Sequence, residues 1–514
     1  MVYICSYLPN MIAAPSSRRL RIFGAVTVIT LIVTYLHLRP QWEFDYRDYY
    51  EDVKSYFSSP VYENTLYNQG TEQLVHKHYN TSDPCAHFPN TDGVLLVMKT
   101  GATEAFDRIP TQLLTTMSCL PQNFLLFSDL EQQLGPYHLY DALSEVDEAD
   151  KARISDFDLY RSQQECVVSQ KSCIDNDAES QNAWRLDKYK FLPMIEQTWR
   201  MRPGHDWYIF AEADTYVFWP NMMHWLKKQS GLNPREKIYL GSRSYVSNRP
   251  FAHGGSGYIL SRGALKHLVE KHSNLTSEYT EKGTQECCGD LLVALALDEH
   301  EGIKVRQTWP MINGEKPTTL PYGRNHWCEP ILTMHHMNAE EISTVWQFEQ
   351  TRKTDRILLI RDLYDSLIAP KMQETRENWD NGSDDVCYIN PDPDAQARAD
   401  GYARDRQRKD DEMSEIEKMA WESPQNCAKV CESEILGADS NDKDKQRDRN
   451  CFQYRWHDEV CCTSKSFKMG KPKPKPEGLD PKEKWASGWY MKGIQDWIDA
   501  MGECTEPAWK IPEL

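Results

Sequence analysis

Two carboxylates follow a strongly apolar stretch in the middle of the chain. Residues 207–210 read WYIF, and Glu212, Ala213 and Asp214 follow them after one alanine. In extended backbone, residues two apart point to the same side, about 7 Å from each other. Two carboxylates placed in this way can share Mg²⁺ or Mn²⁺, which prefer oxygen ligands and leave positions free for phosphate. A solvated acidic turn is the simpler interpretation of the triplet taken alone.

Two further clusters contain residue types that could complete such a site. Gly254 and Gly255 lie in the run HGGSGY at residues 253–258, and glycine lets the backbone approach a ligand closely. His335 and His336 follow an apolar pair, and one imidazole there could ligate a metal. Each cluster is a weak signal alone, because a tight turn or a packed histidine explains it equally well.

Strands that alternate with helices must position these residues. Continuous apolar runs predict strands at residues 93–98, 123–129, 207–210 and 237–241. Helical spacing predicts helices at residues 103–117, 184–199, 261–270 and 290–297, the last two N-capped by Ser261 and Asp290. The alternation indicates an α/β domain with a mostly parallel sheet. Ligands of such sheets collect at the carboxyl ends of the strands, where Glu212 and Asp214 are predicted to lie.

The N-terminal region has the pattern of a membrane anchor. Residues 22–38 contain no Asp, Glu, Lys or Arg and would span about 25 Å as a helix. Arg18, Arg19 and Arg21 precede this segment, and an acidic run follows it, which keeps the N-terminus cytosolic. We expect a cytosolic tail at 1–21, a transmembrane signal-anchor at 22–38 and a luminal stem at 39–84. A cleaved signal peptide is the alternative, although no small-residue cleavage pattern follows the segment.

Cysteine usage agrees with a location outside the cytosol, and the net charge limits the possible partners. Of 15 cysteines, Cys5 precedes the apolar segment and the other 14 follow it, an even number that suits a disulfide framework. Sequons at Asn80, Asn274 and Asn381 fit luminal exposure. The 59 basic and 77 acidic residues give a net charge of −18, which argues against nucleic acid as a partner.

Composition changes after residue 370 of this 514-residue chain. We expect a catalytic domain at 85–370, followed at 371–514 by a charged linker and a small cysteine-rich module. The spacing of Cys427, Cys431, Cys451, Cys461 and Cys462 resembles a degenerate apple/PAN-type module, a class that binds protein or carbohydrate. A purely structural staple on the catalytic domain is the alternative.

Five ordered motifs resemble glycosyltransferase family 31. They are WYIFAEADTYVFWPNMMHWL, YLGS, FAHGGSGYILSRGAL, CCGDLLVALAL and HWCEPILTMHH, and the resemblance as a whole runs from about residue 92 to residue 349, half of the chain. The nearest groups are the core 1 β1,3-galactosyltransferases and Fringe, of which this chain resembles a fungal branch. The resemblance implies the GT-A nucleotide-sugar transferase fold with a Rossmann-like mixed sheet, Mn²⁺ dependence, and inverting transfer of a sugar from a UDP-sugar in β1,3 linkage.

The resemblance also assigns roles to residues of this chain. The family's acidic metal motif falls on Glu212, Ala213 and Asp214, so Asp214 and Glu212 would hold Mn²⁺, while Ala213 lacks the middle carboxylate. The distal metal histidine falls on His336, with His335 one place away as an alternative. Asp290 would be the general base that takes the proton of the acceptor hydroxyl. Alternatively, Asp290 only caps the helix predicted at residues 290–297.

The resemblance also implies which residues contact the donor. Lys188 would steer the diphosphate, or else is an ordinary surface lysine, and Gly254 and Gly255 would line the donor and acceptor cleft. The expected partners are a UDP-sugar donor, a glycan or glycoprotein acceptor, and the membrane.

The expected function is that of a Golgi or endoplasmic-reticulum type II transferase of a hexose, in the first instance galactose. The alternatives are a UDP-GlcNAc or UDP-glucose donor, and a catalytically weakened carbohydrate-binding or chaperone-like protein. The carbohydrate-binding or chaperone-like alternative is motivated by two missing carboxylates. Ala213 lacks the middle carboxylate of the metal motif, and Gly289 stands where the family has a Glu before the base.

Overall fold

The computed structural model describes residues 84–512, apart from residues 87, 121, 174–176, 353–355, 434–450 and 474–483. The predicted tail, transmembrane segment and stem, and the Asn80 sequon, lie outside the described residues. Among the residues that are described, no helix has both the length and the apolar character needed to cross a bilayer.

The chain forms strands and helices in alternation up to residue 351. The strands are β1 Val94–Lys99, β2 Phe124–Ser128, β3 Gln132–Leu134, β4 Tyr137–Asp141, β5 Trp207–Glu212, β6 Tyr216–Val217, β7 Tyr239–Gly241, β8 Arg243–Val246, β9 Arg249–Ala252, β10 Tyr258–Ser261, β11 Val305–Gln307 and β12 Thr333–Met334. The helices are α1 Ala105–Leu114, α2 Glu148–Arg153, α3 Asp158–Glu165, α4 Gln170–Cys173, α5 Asp177–Asp187, α6 Phe191–Met201, α7 Trp219–His224, α8 Arg262–Lys271, α9 Leu275–Gly283, α10 Gly289–Glu301 and α11 Ala339–Thr351.

The C-terminal part adds shorter elements. Its strands are β13 Thr375–Glu377, β14 Trp379–Asp380, β15 Val386–Ile389, β16 Gln453–His457, β17 Val460–Ser464, β18 Lys471–Pro472 and β19 Ala486–Trp489. Its helices are α12 Ile360–Leu363, α13 Pro393–Arg398, α14 Gly401–Asp405, α15 Pro424–Ser433 and α16 Met491–Met501.

An eight-stranded mixed sheet organises the first part of the chain, in the order β11-β7-β10-β5-β1-β2-β4-β3. Strands β5, β1, β2 and β4 are adjacent and run parallel to one another, whereas β3 is antiparallel to β4 and β10 is antiparallel to both β5 and β7. The sheet is therefore α/β and mixed, compatible with a Rossmann-like fold. All six residues of β1 are buried, because helices cover both faces of the sheet.

The two faces of the sheet carry separate hydrophobic clusters. Leu95 and Val97 of β1 face a cluster that includes residues of α6, α8 and α10. Leu96 and Met98, which alternate with them, face a second cluster that includes residues of α1 and α7. This alternation fixes the register of β1, because a slip by one residue would exchange the two faces.

Two helix starts differ in how they are capped. Ser261 caps α8 by accepting a hydrogen bond from the Ala264 N–H, as the sequence predicts. The predicted cap of α10 is wrong: Cys288 is the N-cap residue, and Asp290 lies inside the first turn. The Asp290 carboxylate is therefore free to contact another segment as well as its own helix.

The C-terminal part builds its own five-stranded sheet, in the order β13-β19-β16-β17-β15. One hydrophobic cluster nevertheless contains residues from both sides of residue 370, among them Tyr216, Trp327, Phe467 and Trp497. The disulfide between Cys328 and Cys504 joins the same two parts, and residues 80–514 form one compact unit. The boundary predicted at residue 370 separates two sheets, while one hydrophobic cluster spans it.

Disulfides pair the cysteines of the described residues, as predicted. The pairs are Cys85–Cys119, Cys166–Cys173, Cys287–Cys288, Cys328–Cys504, Cys387–Cys462, Cys427–Cys461 and Cys431–Cys451.

The two sequons that the structure describes differ in accessibility. Asn274 is exposed, whereas Asn381 is fully buried and its amide donates to the Tyr454 carbonyl. The expectation of an exposed Asn381 is wrong, because in the folded chain this side chain is part of the core.

Candidate metal and nucleotide site

The turn after β5 holds the two predicted carboxylates at the carboxyl end of the sheet. Its backbone is fixed by Gln112 of α1, whose buried side-chain amide donates to the carbonyls of Ala213 (3.0 Å) and Thr215 (2.9 Å). The Ala213 N–H donates to the Lys99 carbonyl at the end of β1 (2.9 Å). Asp214 therefore projects from a rigid turn rather than from a solvated loop.

A two-stranded pairing brings the histidines to this turn. Strand β12 pairs antiparallel with β6, so that Met334 lies opposite Tyr216. Just beyond the pair, the Met337 N–H donates to the Asp214 carbonyl (3.0 Å). His336, one residue before Met337, has a positive φ of 60°, a conformation that is uncommon for non-glycine residues although histidine is among those that adopt it more often.

Asp214, His335 and His336 form a three-residue cluster. One carboxylate oxygen and one ring nitrogen of each histidine lie within 4.8 Å of one another. His335 makes the closer approach: its Nδ1 is 3.2 Å from Asp214 Oδ1 and 3.3 Å from the Thr215 hydroxyl. His335 is buried, whereas His336 is exposed. The resemblance assigned the metal contact to His336, and the structure places both imidazoles beside the carboxylate.

This cluster fits a divalent cation. Asp214 Oδ1 is buried but accepts no hydrogen bond of good geometry, although buried carboxylate oxygens normally have such partners. One carboxylate and two imidazoles suit several divalent first-row metals. Burial alone would raise the pKa of Asp214, but His335 and Arg108 outweigh it and hold that pKa well below its usual range. The ligand carboxylate is thus ionised across the physiological pH range.

Glu212 lies at the same end of the sheet but has a different partner. In the register of β1 and β5, Lys99 lies opposite Glu212, and the Lys99 Nζ is 3.1 Å from Glu212 Oε1. Lys99 also binds Asp187 (2.6 Å), which Lys190 contacts from the other side (2.7 Å). Glu212 is not part of the three-residue cluster described above, so its role as a metal ligand stays a prediction.

A polar cleft connects these charges. Its lining residues are Lys99, Thr100, Gly101, Glu104, Arg108, Asp187, Glu212, Ala213 and Asp214. The guanidinium of Arg108 lies 2.5 Å from Asp214 Oδ2 and 3.0 Å from Glu104. Two cations, Lys99 and Arg108, therefore border the cleft, and both are able to bind phosphate oxygens.

Asp290 and the glycine run meet on the other side of the histidines. The Asp290 carboxylate accepts from the Gly254 N–H (2.8 Å) and from the Leu291 N–H (2.9 Å). Burial raises its pKa, while the Gly254 hydrogen bond and the charge of His253 oppose this rise. The ring of His253 lies 5.8 Å from that of His335, so Asp290 and the three-residue cluster border one region.

Space for a side chain is absent at Gly255 and small at Gly254. A Cβ on Gly255 would lie 2.2 Å from His335 Nε2, and one on Gly254 would lie 3.2 Å from the Phe191 ring. The Gly255 carbonyl also accepts a hydrogen bond from the Thr215 hydroxyl (2.7 Å). Gly254 and Gly255 thus allow Asp290 and His335 to approach the backbone closely.

Lys188, the predicted diphosphate lysine, has partners outside the cleft. It is buried, contacts Asp156 (3.0 Å) and donates to the Glu286 carbonyl (3.3 Å). Its role toward a diphosphate stays a prediction.

Sequence reasoning missed Lys99, Gln112 and Arg108. Lys99 had a signal, since it ends the first apolar strand and the carboxyl ends of parallel strands meet at one edge. Gln112 and Arg108 had none, because only the packing of α1 against the turn gives them their contacts.

No family model matches the chain.

Proposed function

We propose that this protein is a metal-dependent, inverting glycosyltransferase that moves a hexose from a UDP-sugar to a glycan hydroxyl in β1,3 linkage. Galactose is the first donor to test, and UDP-GlcNAc and UDP-glucose are the alternatives. The observation that carries the proposal is the meeting of Asp214, His335 and His336 within 4.8 Å at the carboxyl end of an α/β sheet. The five motifs that resemble glycosyltransferase family 31 supply the substrate class.

The donor would bind in the polar cleft. Asp214, His335 and His336 would hold Mn²⁺, which when bound supplies positive charge against the diphosphate leaving group. Lys99 and Arg108 border the same cleft and would bind phosphate oxygens. The same donor set also serves non-haem iron enzymes. The two cations that border the adjoining polar cleft, Lys99 and Arg108, favour a phosphate-bearing substrate instead.

Asp290 would act on the acceptor. Its carboxylate takes the proton of the attacking hydroxyl, and the oxygen forms a bond to the anomeric carbon as the bond to UDP breaks on the opposite face. The hydrogen bonds from Gly254 and Leu291 orient the carboxylate. Its raised pKa makes it a stronger base than an exposed aspartate. This single displacement inverts the anomeric configuration without a covalent enzyme intermediate.

The topology is part of the proposal. The apolar segment at residues 22–38 would anchor the chain in a Golgi or endoplasmic-reticulum membrane with the catalytic part in the lumen. The disulfides support an oxidising compartment.

A UDP-release assay on the full-length protein tests the activity. We expect slow hydrolysis of UDP-galactose that requires Mn²⁺ and is lost in EDTA. The nearly isosteric Asp214→Asn should lower the rate by about 100-fold or more, whereas Asp298→Asn, an exposed residue of α10, should leave it unchanged. Turnover that is indifferent to Mn²⁺ or to Asp214→Asn would overturn the proposal.

One observation favours a carbohydrate-binding role as the second candidate. A cavity of about 310 Å³ in the C-terminal part has a lining that includes Trp456, Trp485, Glu377, Glu422, Glu459 and Lys484. Aromatic faces and carboxylates are suited to the apolar and hydroxyl faces of a sugar. Glycan binding without turnover of any UDP-sugar, abolished by Trp485→Ala, would favour this candidate.

A further inference from the structure

The Asp214 carboxylate contacts two side chains, the guanidinium of Arg108 and the imidazole of His335. Its Oδ2 atom binds the guanidinium of Arg108 at 2.5 Å, while its Oδ1 atom faces His335 at 3.2 Å. A divalent cation ligated by Asp214 would therefore lie next to a guanidinium that remains charged at every physiological pH. Like charges at this separation repel strongly in a partly buried site.

Lys99, the other cation of the cleft, is held in place. It is buried between the carboxylates of Asp187 and Glu212 and lies 4.5 Å from the centre of the Phe191 ring. Its charge is already matched by two fixed partners, so a cation at Asp214 has little effect on its position.

Arg108 has the freedom that Lys99 lacks. About a third of its side chain is exposed, and Glu104, one turn earlier on α1, offers a second carboxylate at 3.0 Å. The planar guanidinium binds phosphate oxygens in a bidentate manner. A diphosphate entering the cleft would therefore give Arg108 a partner that compensates for the loss of Asp214.

We propose that Arg108 couples the two ligands of the site, opposing a divalent cation at Asp214 until the diphosphate of a nucleotide enters the cleft and takes over the guanidinium. This inference rests on the proposed function and deepens it, since it makes cation and nucleoside diphosphate bind together rather than in succession. By linkage, each ligand then raises the affinity for the other by the same factor.

Calorimetric titration of the full-length protein tests this coupling. Mn²⁺ is titrated with and without saturating UDP, and the ratio of the two dissociation constants is the coupling factor. In the wild-type protein we expect a coupling factor of about 10 or more. In Arg108→Gln, Mn²⁺ alone should bind more tightly and UDP alone more weakly, so the coupling factor should fall below the wild-type value. The direct attraction between Mn²⁺ and the diphosphate should keep it above about 1.

Two controls make the result specific. Arg200→Gln removes an exposed arginine that pairs with Glu145 and should leave the coupling factor at the wild-type value. Should Arg108→Gln be recovered unfolded, Arg108→Lys answers the same question. Its single ammonium cannot bind a diphosphate in a bidentate manner, so a lower coupling factor is again expected.

The outcomes separate this inference from the proposed function. If Arg108 acts only through its long-range charge, Arg108→Gln changes the Mn²⁺ affinity equally with and without UDP, the coupling factor stays constant, and the inference is wrong. If the wild-type protein binds neither Mn²⁺ nor UDP, the proposed function and the inference are both overturned.

Discussion

His335 Nδ1 lies 3.2 Å from Asp214 Oδ1, although the two residues are far apart in the chain. The short pairing of β6 with β12 creates this proximity. It makes the turn after β5 a candidate cation site, because a carboxylate and two imidazoles converge there.

The two histidines should differ in their contribution to metal binding. His335 is buried against Asp214 and Thr215, whereas His336 is exposed. We expect His335→Gln to weaken Mn²⁺ binding by about 100-fold and His336→Gln by about 10-fold, measured by calorimetry in the presence of UDP. Equal effects, or a larger one for His336, would show that His336 is the principal ligand, as the family resemblance first indicated.

Replacing Gly255 by alanine should displace His335. The added methyl group would lie 2.2 Å from His335 Nε2, so that either the imidazole or the glycine run must move. We expect Mn²⁺ affinity to fall by about 10-fold or more and the melting temperature to fall as well. Gly204→Ala is a matched control, since Gly204, like Gly255, has no positive φ and a Cβ there meets nothing within 4 Å; this variant should keep the wild-type Mn²⁺ affinity and melting temperature. Unchanged Mn²⁺ affinity in Gly255→Ala would contradict the observed packing.

Asp290→Asn should separate catalysis from donor binding. Loss of a general base lowers turnover by about 100-fold or more, while the affinity for Mn²⁺ and UDP should be retained. One of the two backbone N–H groups that Asp290 accepts from would then face an amide N–H, at a cost of about 1–2 kcal/mol in unfolding free energy. Asp298→Asn on the same helix is the control.

The pH profile of turnover gives a second readout for Asp290. Because burial raises its pKa, the ionised base should be lost on acidification at a higher pH than for an exposed aspartate. An acidic limb with the midpoint of an ordinary aspartate, or full turnover in Asp290→Asn, would rule out this role.

Glu349 should make stability depend on pH. Burial raises its pKa to about 7 from 4.5, although the Tyr216 hydroxyl and Arg352 oppose the rise. The folded state thus holds a proton that the unfolded state releases, so this stabilisation is complete below about pH 4.5 and is lost as pH rises through about 7. Because part of the side chain reaches solvent, we expect a loss on the order of 2 kcal/mol.

Thermal unfolding between pH 5 and pH 8 measures this effect. The melting temperature of the wild-type protein should fall over this range more than that of Glu349→Gln, which mimics the protonated carboxyl group. Parallel pH profiles for the two proteins would show that Glu349 does not titrate in this range.

Much of the local structure could be predicted from the sequence. The apolar runs gave β1, β2 and β5, because strands buried on both faces need continuous apolar sequence. The Ser261 cap followed from local hydrogen bonding. Asp290 was misplaced as a cap because α10 begins at Gly289, one residue earlier, and the Asp290 carboxylate accepts from the Gly254 N–H of a segment remote in sequence. The burial of Asn381 was equally invisible, since the sequon is a local pattern whereas its burial depends on β16 and β19.

The sequence by itself determined the apolar strands, the residue types at the end of β5, the even number of cysteines after residue 38 and the acidic net charge, since each depends on composition or on neighbours along the chain. Only the tertiary structure decided that His335 faces Asp214, that Lys99 holds Glu212 and that Arg108 reaches Asp214 from α1. These contacts join residues remote in sequence, and strand pairing and helix packing, rather than any local pattern, set the distances between them.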